Sequence, residues 1–257
     1  MKVQLLPSTF DESGRASSRQ HLPCFVINDA VAIDAGSLAM ACTDNQRAGI
    51  RDIVLSHAHL DHIAGLPLFI DDLYSALTEP VRVYASQEVI NVLERDIFNW
   101  SVYPRFSELE NDFGPVMAYH PFKDGAEFSV KDLTIKPLAV NHRVPTSGFI
   151  ISAGSSTIAM SGDTSAMDQF WPPINAVADL NALLIECAFP NDLQDLAEIS
   201  HHLTPRSLAE ELEKFERDCP IHIINIKPTF RDAIIEQIHD LKIGNIAIFE
   251  VGRVYDL

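Results

Sequence analysis

The segment LSHAHLDHIAG, residues 55–65, carries three histidines and one aspartate within six positions: His57, His59, Asp61 and His62. Its start overlaps the apolar run DIVLS, which predicts a buried strand. Because side chains alternate along a strand, His57 and His59 point to one side, and the other two follow at a turn into a helix. Imidazole and carboxylate groups bind Zn²⁺, Fe and Mn, and three protein ligands with one open position are typical of catalysis. The segment therefore predicts a catalytic metal centre.

Further polar side chains stand where other apolar runs stop. His142 follows LAVN, Asp163 follows IAMSG, and Glu186 ends ALLIE. His201 and His202 come directly before a helix that Thr204 and Pro205 are expected to start. Loops at strand ends, held by a rigid scaffold, commonly carry sites. We therefore expect these groups to complete a site for two metal ions.

The order of the predicted elements is β-rich, helical, β-rich and again helical. This order favours an α/β (α+β) fold in which two sheets face each other with helices outside. No linker or low-complexity tract interrupts the chain, so one domain over residues 1–257 is predicted. The main predicted helices are 37–48, 62–77, 86–98, 205–217 and 231–241.

The formal net charge is −17, with a sequence pI of about 4.8. An acidic chain binds nucleic-acid backbones poorly, because such affinity comes largely from Lys and Arg. The four cysteines form no C-x-x-C pair, which favours free buried thiols in a reducing compartment. There is no signal-peptide pattern and no apolar run long enough to span a membrane, so a cytoplasmic location is expected.

Three motifs together resemble the metallo-β-lactamase superfamily: H-x-H-x-D-H, a histidine before VPTSGF, and SGDT, in this order. The resemblance runs from about residue 24 to the end. It implies a four-layer αββα sandwich that holds two divalent metal ions. It also implies that His57, His59 and His142 bind the first metal, that Asp61 and His62 bind the second, and that Asp163 bridges them.

Within that superfamily, SHAHLDHIAGLPL, IECAF, HHLTP and NIKPTFRDAI resemble class II 3′,5′-cyclic-nucleotide phosphodiesterases. They resemble the transfer-RNA 3′-processing nucleases less closely. The HLTP motif makes His202, and not His201, the matching residue. Asn225 stands where such relatives place a histidine, so it is a weaker candidate ligand for the second metal. By strand alternation, His222 points to the opposite face.

The resemblance implies hydrolysis of a cyclic nucleotide to a nucleoside monophosphate by metal-activated hydroxide. Asp61 would orient the nucleophile as well as bind metal. His202 is the predicted general acid, and Glu186 would hold its tautomer by a hydrogen bond. Zinc is the first choice of metal, with Mn or Fe as alternatives.

Three other functions remain open: a transfer-RNA 3′-processing nuclease, a lactonase or thioester hydrolase, and a non-enzymatic metal-binding sensor. Against the nuclease, segment 71–115 has nine acidic residues and three arginines. This segment is also a predicted insertion over the site, whose aromatic side chains either stack on a base or pack in the core. The expected partner is a small nucleotide, not a long nucleic acid or a membrane, and a homodimer is left open.

Overall fold

Two seven-stranded β-sheets, flanked by helices, form the framework of this protein. The computed structural model describes residues 1–257. An amino-terminal unit comprises Lys2–Lys123 and Val251–Asp256, and a carboxy-terminal unit comprises Met1, Asp124–Glu250 and Leu257. The predicted mixed α/β class with two sheets is confirmed. The prediction of a single domain stays a prediction.

The elements of the first unit alternate between short strands and short helices. The strands are β1 (Lys2–Leu5), β2 (Phe25–Ile27), β3 (Val31–Ile33), β4 (Asp52–Val54), β5 (Val81–Ser86), β6 (Glu110–Asn111), β7 (Gly114–Pro115) and β8 (Met117–Phe122). The helices are α1 (Leu38–Ala41), α2 (Asp44–Gly49), α3 (Leu60–Ile63), α4 (Gly65–Leu73) and α5 (Gln87–Val92). Two 3₁₀ turns, Tyr74–Ala76 and Phe106–Glu108, and a π-helical turn, Leu93–Ile97, complete the list.

The second unit has its strands first and most of its helices later. Its strands are β9 (Phe128–Val130), β10 (Leu133–Ala139), β11 (Ser147–Ala153), β12 (Ser156–Met160), β13 (Ala182–Glu186), β14 (Ile221–Ile224) and β15 (Ile246–Ile248). Its helices are α6 (Trp171–Asn175), α7 (Gln194–Ser200), α8 (Pro205–Leu212) and α9 (Arg231–Asp240), with 3₁₀ turns at Asn191–Leu193 and Pro228–Phe230. The last strand, β16 (Val254–Asp256), belongs to the amino-terminal unit, where it pairs with β1.

The amino-terminal sheet has the strand order β16-β1-β2-β3-β4-β5-β8. Strands β3, β4, β5 and β8 are parallel neighbours, with Ile33 opposite Val54. The carboxyl ends of parallel strands meet at one edge of a sheet, where α/β proteins place their ligands. The residues after β3 and after β4 therefore share one edge.

The carboxy-terminal sheet has the order β15-β14-β13-β12-β11-β10-β9. Strands β12 to β15 are parallel. Strand β10 is antiparallel to β11, which is antiparallel to β12, so β10 runs in the same direction as β12. The residues that follow β10, β12, β13 and β14 therefore all leave the sheet at one edge.

Each unit has its own apolar core. Ile53, Phe69 and Phe98 are fully buried in the amino-terminal core, and Leu183 and Phe170 are fully buried in the other. Burying one such side chain contributes about 1.5–3 kcal/mol, so these cores fix the strand ends that carry the polar residues.

Helix boundaries differ from the prediction at four places. The predicted helix over 62–77 is divided among α3, α4 and the 3₁₀ turn Tyr74–Ala76, and the predicted helix over 86–98 is α5 followed by the π-helical turn. The predicted helix over 37–48 is two helices, because Cys42 is extended and Thr43 starts α2 with a capping box to Gln46. The predicted helix over 205–217 starts at Pro205 with Thr204 as its cap but ends at Leu212. None of the helices combines the length and the apolar character needed to cross a bilayer.

The prediction of an insertion over 71–115 is wrong for part of the segment. Val81–Ser86 forms β5, an internal strand that pairs with β4 and β8. Phe98 and Phe106 are buried, and their ring centroids lie 5.7 Å apart, so these two aromatic residues pack in the core. Trp100 and Phe113 are exposed.

Candidate metal centre

The turn after β4 gathers the histidines of the H-x-H-x-D-H motif. His57 and His62 are buried, while His59 and Asp61 are half-buried. The ring centroid of His57 lies 4.7 Å from that of His59 and 4.1 Å from that of His62. His59 is the residue before α3, and its extended backbone lets the chain turn from the strand end into the helix. The local fold thus brings three imidazoles together, but His57 and His59 lie beyond the end of β4, so strand alternation is not what places them.

Asp34 is the centre of a buried hydrogen-bond network under this turn. Its carboxylate accepts hydrogen bonds from Ser56 N at 2.8 Å, from Ser56 Oγ at 2.8 Å and from His62 Nδ1 at 2.7 Å. Because an ionised carboxylate only accepts, Nδ1 of His62 carries the proton. The single proton of the Ser56 hydroxyl goes to Asp34, so Ser56 Oγ accepts from His57 Nδ1 at 2.9 Å. In both imidazoles Nε2 is therefore the nitrogen whose lone pair can bind a metal.

Asp34 is not among the site residues predicted from the sequence. It follows β3 in the run VAID and has a positive φ of 58°, which few residues other than glycine adopt. A carboxylate directly after an apolar strand was the signal that could have found it, because the other site residues stand at the same kind of place.

Close backbone packing fixes the turn against the end of β3. A Cβ added to Gly36 would lie 2.0 Å from the Asp61 carbonyl oxygen, and one added to Gly65 would lie 2.5 Å from the Ala35 carbonyl oxygen. Ala35 N donates to His62 O at 2.7 Å, and Gly65 N donates to Ala35 O at 3.0 Å. Only glycine allows these approaches.

The carboxy-terminal unit supplies a second group of predicted ligands. His142 follows β10, and its Nδ1 lies 3.0 Å from the carbonyl oxygen of His201. Since a carbonyl oxygen only accepts, Nδ1 of His142 is protonated and Nε2 is again the nitrogen whose lone pair can bind a metal. Asp163 is buried, and its Oδ1 accepts from Asn225 Nδ2 at 2.5 Å.

Glu186 and His202 form a buried pair beside Asp163. One ligand atom from each of these three residues lies within 4.8 Å of the others. Glu186 Oε1 accepts from His202 Nδ1 at 2.8 Å and from Thr164 N at 2.6 Å. Two site loops, the SGDT loop and the turn before α8, are thereby tied to the end of β13.

The buried pair retains protons more strongly than its isolated groups would. Burial raises the pKa of Glu186, and this effect outweighs the opposing influence of His202. Burial lowers the pKa of His202, but the charge and the hydrogen bond of Glu186 outweigh burial, so the pKa of the imidazole lies above its ordinary value. Both pKa shifts favour retention of a proton by the Glu186–His202 pair.

Asn225 lies outside the regular strand. Strand β14 ends at Ile224, and Asn225 has a φ of 55°, so strand alternation does not relate its direction to that of His222. His222 lies within β14, with its ring edge-on to Phe249. The amide nitrogen of Asn225 faces Asp163, so ligation through the amide oxygen would use the other end of the same group. Its role as a ligand stays a prediction.

The donor atoms fit a divalent transition metal. In His57, His62 and His142, Nδ1 is held by an oxygen atom, so Nε2 is the nitrogen whose lone pair can bind a metal. Metal-binding histidines in proteins have this arrangement, because the second hydrogen bond fixes the tautomer and the ring orientation. Neutral imidazole and carboxylate together suit Zn²⁺, Fe and Mn.

Comparison with known proteins gives a family and several relatives. A family model described as "Beta-lactamase superfamily domain" matches residues 31–223. A Yersinia pestis protein named "Probable 3′,5′-cyclic-nucleotide phosphodiesterase" is 28% identical over 211 residues, which cover 72% of this chain and 59% of that protein. A Mycobacterium sp. (strain KMS) protein named "Ribonuclease Z" is 24% identical over 185 residues, covering 65% of this chain and 61% of that protein.

Among solved structures, that of unliganded yeast PDE1 has a TM-score of 0.80 to this chain. It is 15% identical, and the alignment covers 100% of this chain and 99% of the yeast chain. By contrast, the aligned part spans only about three fifths of the length of the two curated relatives.

Proposed function

Because this chain belongs to the β-lactamase superfamily, we propose that it is a metal-dependent phosphodiesterase that hydrolyses 3′,5′-cyclic nucleotides to nucleoside monophosphates. The family and the fold are those that the sequence predicted, and both are confirmed. So is the prediction of a family of metal-dependent hydrolases. The phosphodiesterase activity and its substrate are our proposal, which relatives with that name support.

The observation that carries the proposal is the buried Glu186–His202 pair next to Asp163. Opening a phosphodiester produces an alkoxide, which needs a proton as it leaves. A histidine whose tautomer is held by a buried carboxylate, beside a predicted metal ligand, suits that task. A thioesterase releases a thiolate, which is a much weaker base than an alkoxide, and so has no comparable need for this dedicated acid.

The proposed metal ligands are His57, His59, Asp61, His62, His142 and Asp163, with Asn225 as the weakest. Two divalent ions, Zn²⁺ first and Mn²⁺ or Fe as alternatives, would lower the pKa of water and neutralise charge on the phosphoryl oxygens. Asp61, which is half-buried, would orient the attacking water.

In the proposed reaction, water loses a proton to solvent, and the resulting hydroxide oxygen bonds to phosphorus while the bond from phosphorus to O3′ breaks. His202 gives a proton to the departing O3′ and regains one from solvent. Glu186 accepts from Nδ1 of His202, so Nε2 is the atom that passes the proton. The product is a 5′-monophosphate with a free 3′ hydroxyl.

The test is His202→Ala in the full chain, with His239→Ala as the matched control because His239 is exposed on α9. We expect His202→Ala to lower kcat on cyclic AMP by about 10²–10⁴-fold with unchanged metal content, and His239→Ala to have no effect. Loss of bound metal in His202→Ala would instead make His202 a ligand and disprove its role as an acid.

A transfer-RNA 3′-processing nuclease is the second candidate, since some relatives are named ribonuclease Z. The net charge of −17 disfavours a long polyanion. Cyclic AMP, cyclic GMP and a precursor transfer RNA assayed side by side separate the two. Stoichiometric metal without hydrolysis of any of these, or of bis(p-nitrophenyl) phosphate, would favour the metal-binding sensor.

We also propose a small nucleotide as the partner, a cytoplasmic location, and no binding to membranes or long nucleic acids. A homodimer is compatible with this family, and light scattering during size-exclusion chromatography measures the assembly directly.

A further inference from the structure

Asn141, the residue before His142, makes hydrogen bonds to two other loops of the carboxy-terminal unit. Its Nδ2 donates to Ser165 Oγ at 3.0 Å and to the Ala166 carbonyl oxygen at 2.7 Å. Its Oδ1 lies 3.0 Å from Nδ1 of His201. Asn141 thereby joins its own loop to the SGDT loop that carries Asp163 and to the turn that carries His202.

The orientation of the Asn141 amide follows from its partners. A carbonyl oxygen only accepts, so the group that faces Ala166 is the NH₂ and the group that faces His201 is the oxygen. His201 therefore donates from Nδ1. The main chain of Asn141 adds two bonds to the same loop, from Asn141 N to Thr164 Oγ1 at 3.1 Å and from Ser165 N to Asn141 O at 2.8 Å.

His201 has an unfavourable backbone conformation, which directs its carbonyl group towards His142. It follows α7 as the C-cap residue with φ 57° and ψ 60°, in the left-handed region that non-glycine residues rarely adopt. Its carbonyl oxygen accepts from Nδ1 of His142 at 3.0 Å. The bond that fixes the tautomer of His142 thus depends on a strained residue, and strain of this kind persists where the surroundings enforce it.

We infer that Asn141 and His201 are positioning residues for the metal ligand His142. The ring of His201 is held by Asn141, and the carbonyl of His201 in turn holds Nδ1 of His142, so that Nε2 is the nitrogen that would bind the ion. The same pair places the adjacent His202 next to His142, with their ring centroids 5.0 Å apart. This inference rests on the proposed role of His142 as a metal ligand.

The direct test measures metal affinity in the full chain with Asn141→Ala, using competition for Zn²⁺ against a chromogenic chelator. Residues that orient a metal ligand typically contribute about 10–100-fold in metal affinity, and we expect a loss in that range. The absorption spectrum of the Co²⁺ form should also change, because it reports ligand geometry. The matched control is Asn175→Ala, whose amide likewise ties two backbone groups, Lys214 O and Glu216 N. It should bind Zn²⁺ like the wild type.

A second variant, His201→Gly, removes the ring but keeps a backbone that adopts positive φ readily. We expect it to weaken Zn²⁺ binding as Asn141→Ala does, and the double variant to be no weaker than either single one, because both remove the same interaction. Rescue by His201→Asn, which tolerates the left-handed region and keeps a donor for Asn141, would support the inference further.

The possible failures are distinguishable. If the wild-type protein binds no Zn²⁺, the proposed function fails. If the wild type binds and Asn141→Ala and His201→Gly bind equally well with an unchanged Co²⁺ spectrum, the inference is overturned and the proposed function stands.

Discussion

Oδ2 of Asp34 lies 2.7 Å from Nδ1 of His62, across 28 positions of sequence. Parallel pairing of β3 with β4 makes this contact, because it sets the ends of both strands at one edge. Asp34 therefore holds the H-x-H-x-D-H turn through a hydrogen bond to His62. A chain of two hydrogen bonds through Ser56 also connects Asp34 to His57.

Asp34→Ala should weaken Zn²⁺ binding by about 10–100-fold, because His62 and His57 lose the network that fixes their tautomers. Stability should also fall by about 1–3 kcal/mol, since the buried Ser56 amide loses its acceptor. Chelator competition and urea unfolding measure the two effects. Asp112→Ala, at an exposed turn, is the control, and an Asp34 variant indistinguishable from it would refute the role.

Glu186→Gln keeps the shape of the side chain but removes its charge. We expect kcat to fall by about 10–100-fold while the metal content stays that of the wild type, because Glu186 acts on His202 and is not a proposed ligand. Steady-state kinetics and metal analysis on one preparation measure this. Glu210→Gln, on the exposed side of α8, serves as the control, and a loss of metal in Glu186→Gln alone would contradict the assignment.

Glu211 is a structural carboxylate away from the proposed chemistry. It is buried, and its Oε2 accepts from Trp171 Nε1 at 2.8 Å and from Met167 N at 3.1 Å. Glu211→Ala leaves both donors buried without an acceptor, so the free energy of unfolding should fall by about 2–4 kcal/mol. Urea denaturation with Glu210→Ala as the matched control tests this. The idea fails if the two variants unfold at the same urea concentration.

The cysteines should react with iodoacetamide in a fixed order. Burial raises the pKa of Cys24 and Cys187 well above the usual value, raises that of Cys219 to about 11, and raises that of half-buried Cys42. Only the thiolate reacts, so labelling at pH 8 should be slow and should speed up as the pH rises. Mass spectrometry should find Cys42 labelled first. Early labelling of Cys187 would show that its site opens in solution.

The sequence predicted the parts of the site that stand close together or at strand ends. The H-x-H-x-D-H motif is visible because its four proposed ligands fall within six residues, and His142, Asp163 and Glu186 stand at most three positions after an apolar run. The two-sheet class followed from the order of the strands and helices, and the structure has it.

The residues that hold the proposed ligands in place through hydrogen bonds could not be predicted in the same way. Asn141 acts through bonds to residues up to 60 positions away, and no local pattern records such a distance. Strand alternation does not determine the direction of Asn225, because this residue lies after β14 and has a positive φ. The prediction of one helix over 37–48 was wrong because Thr43, a strong helix cap, starts a second helix there.

The glycine contacts at the end of β3 bear on the thermodynamics of metal uptake. At Gly36 and Gly65 the turn packs directly against neighbouring backbone atoms, which leave it little room to move. Its imidazoles are therefore already arranged before an ion binds. The loss of conformational entropy is then incurred when the chain folds, and little of it is left to oppose capture of the ion. Calorimetry of Zn²⁺ uptake should accordingly show a small change in heat capacity.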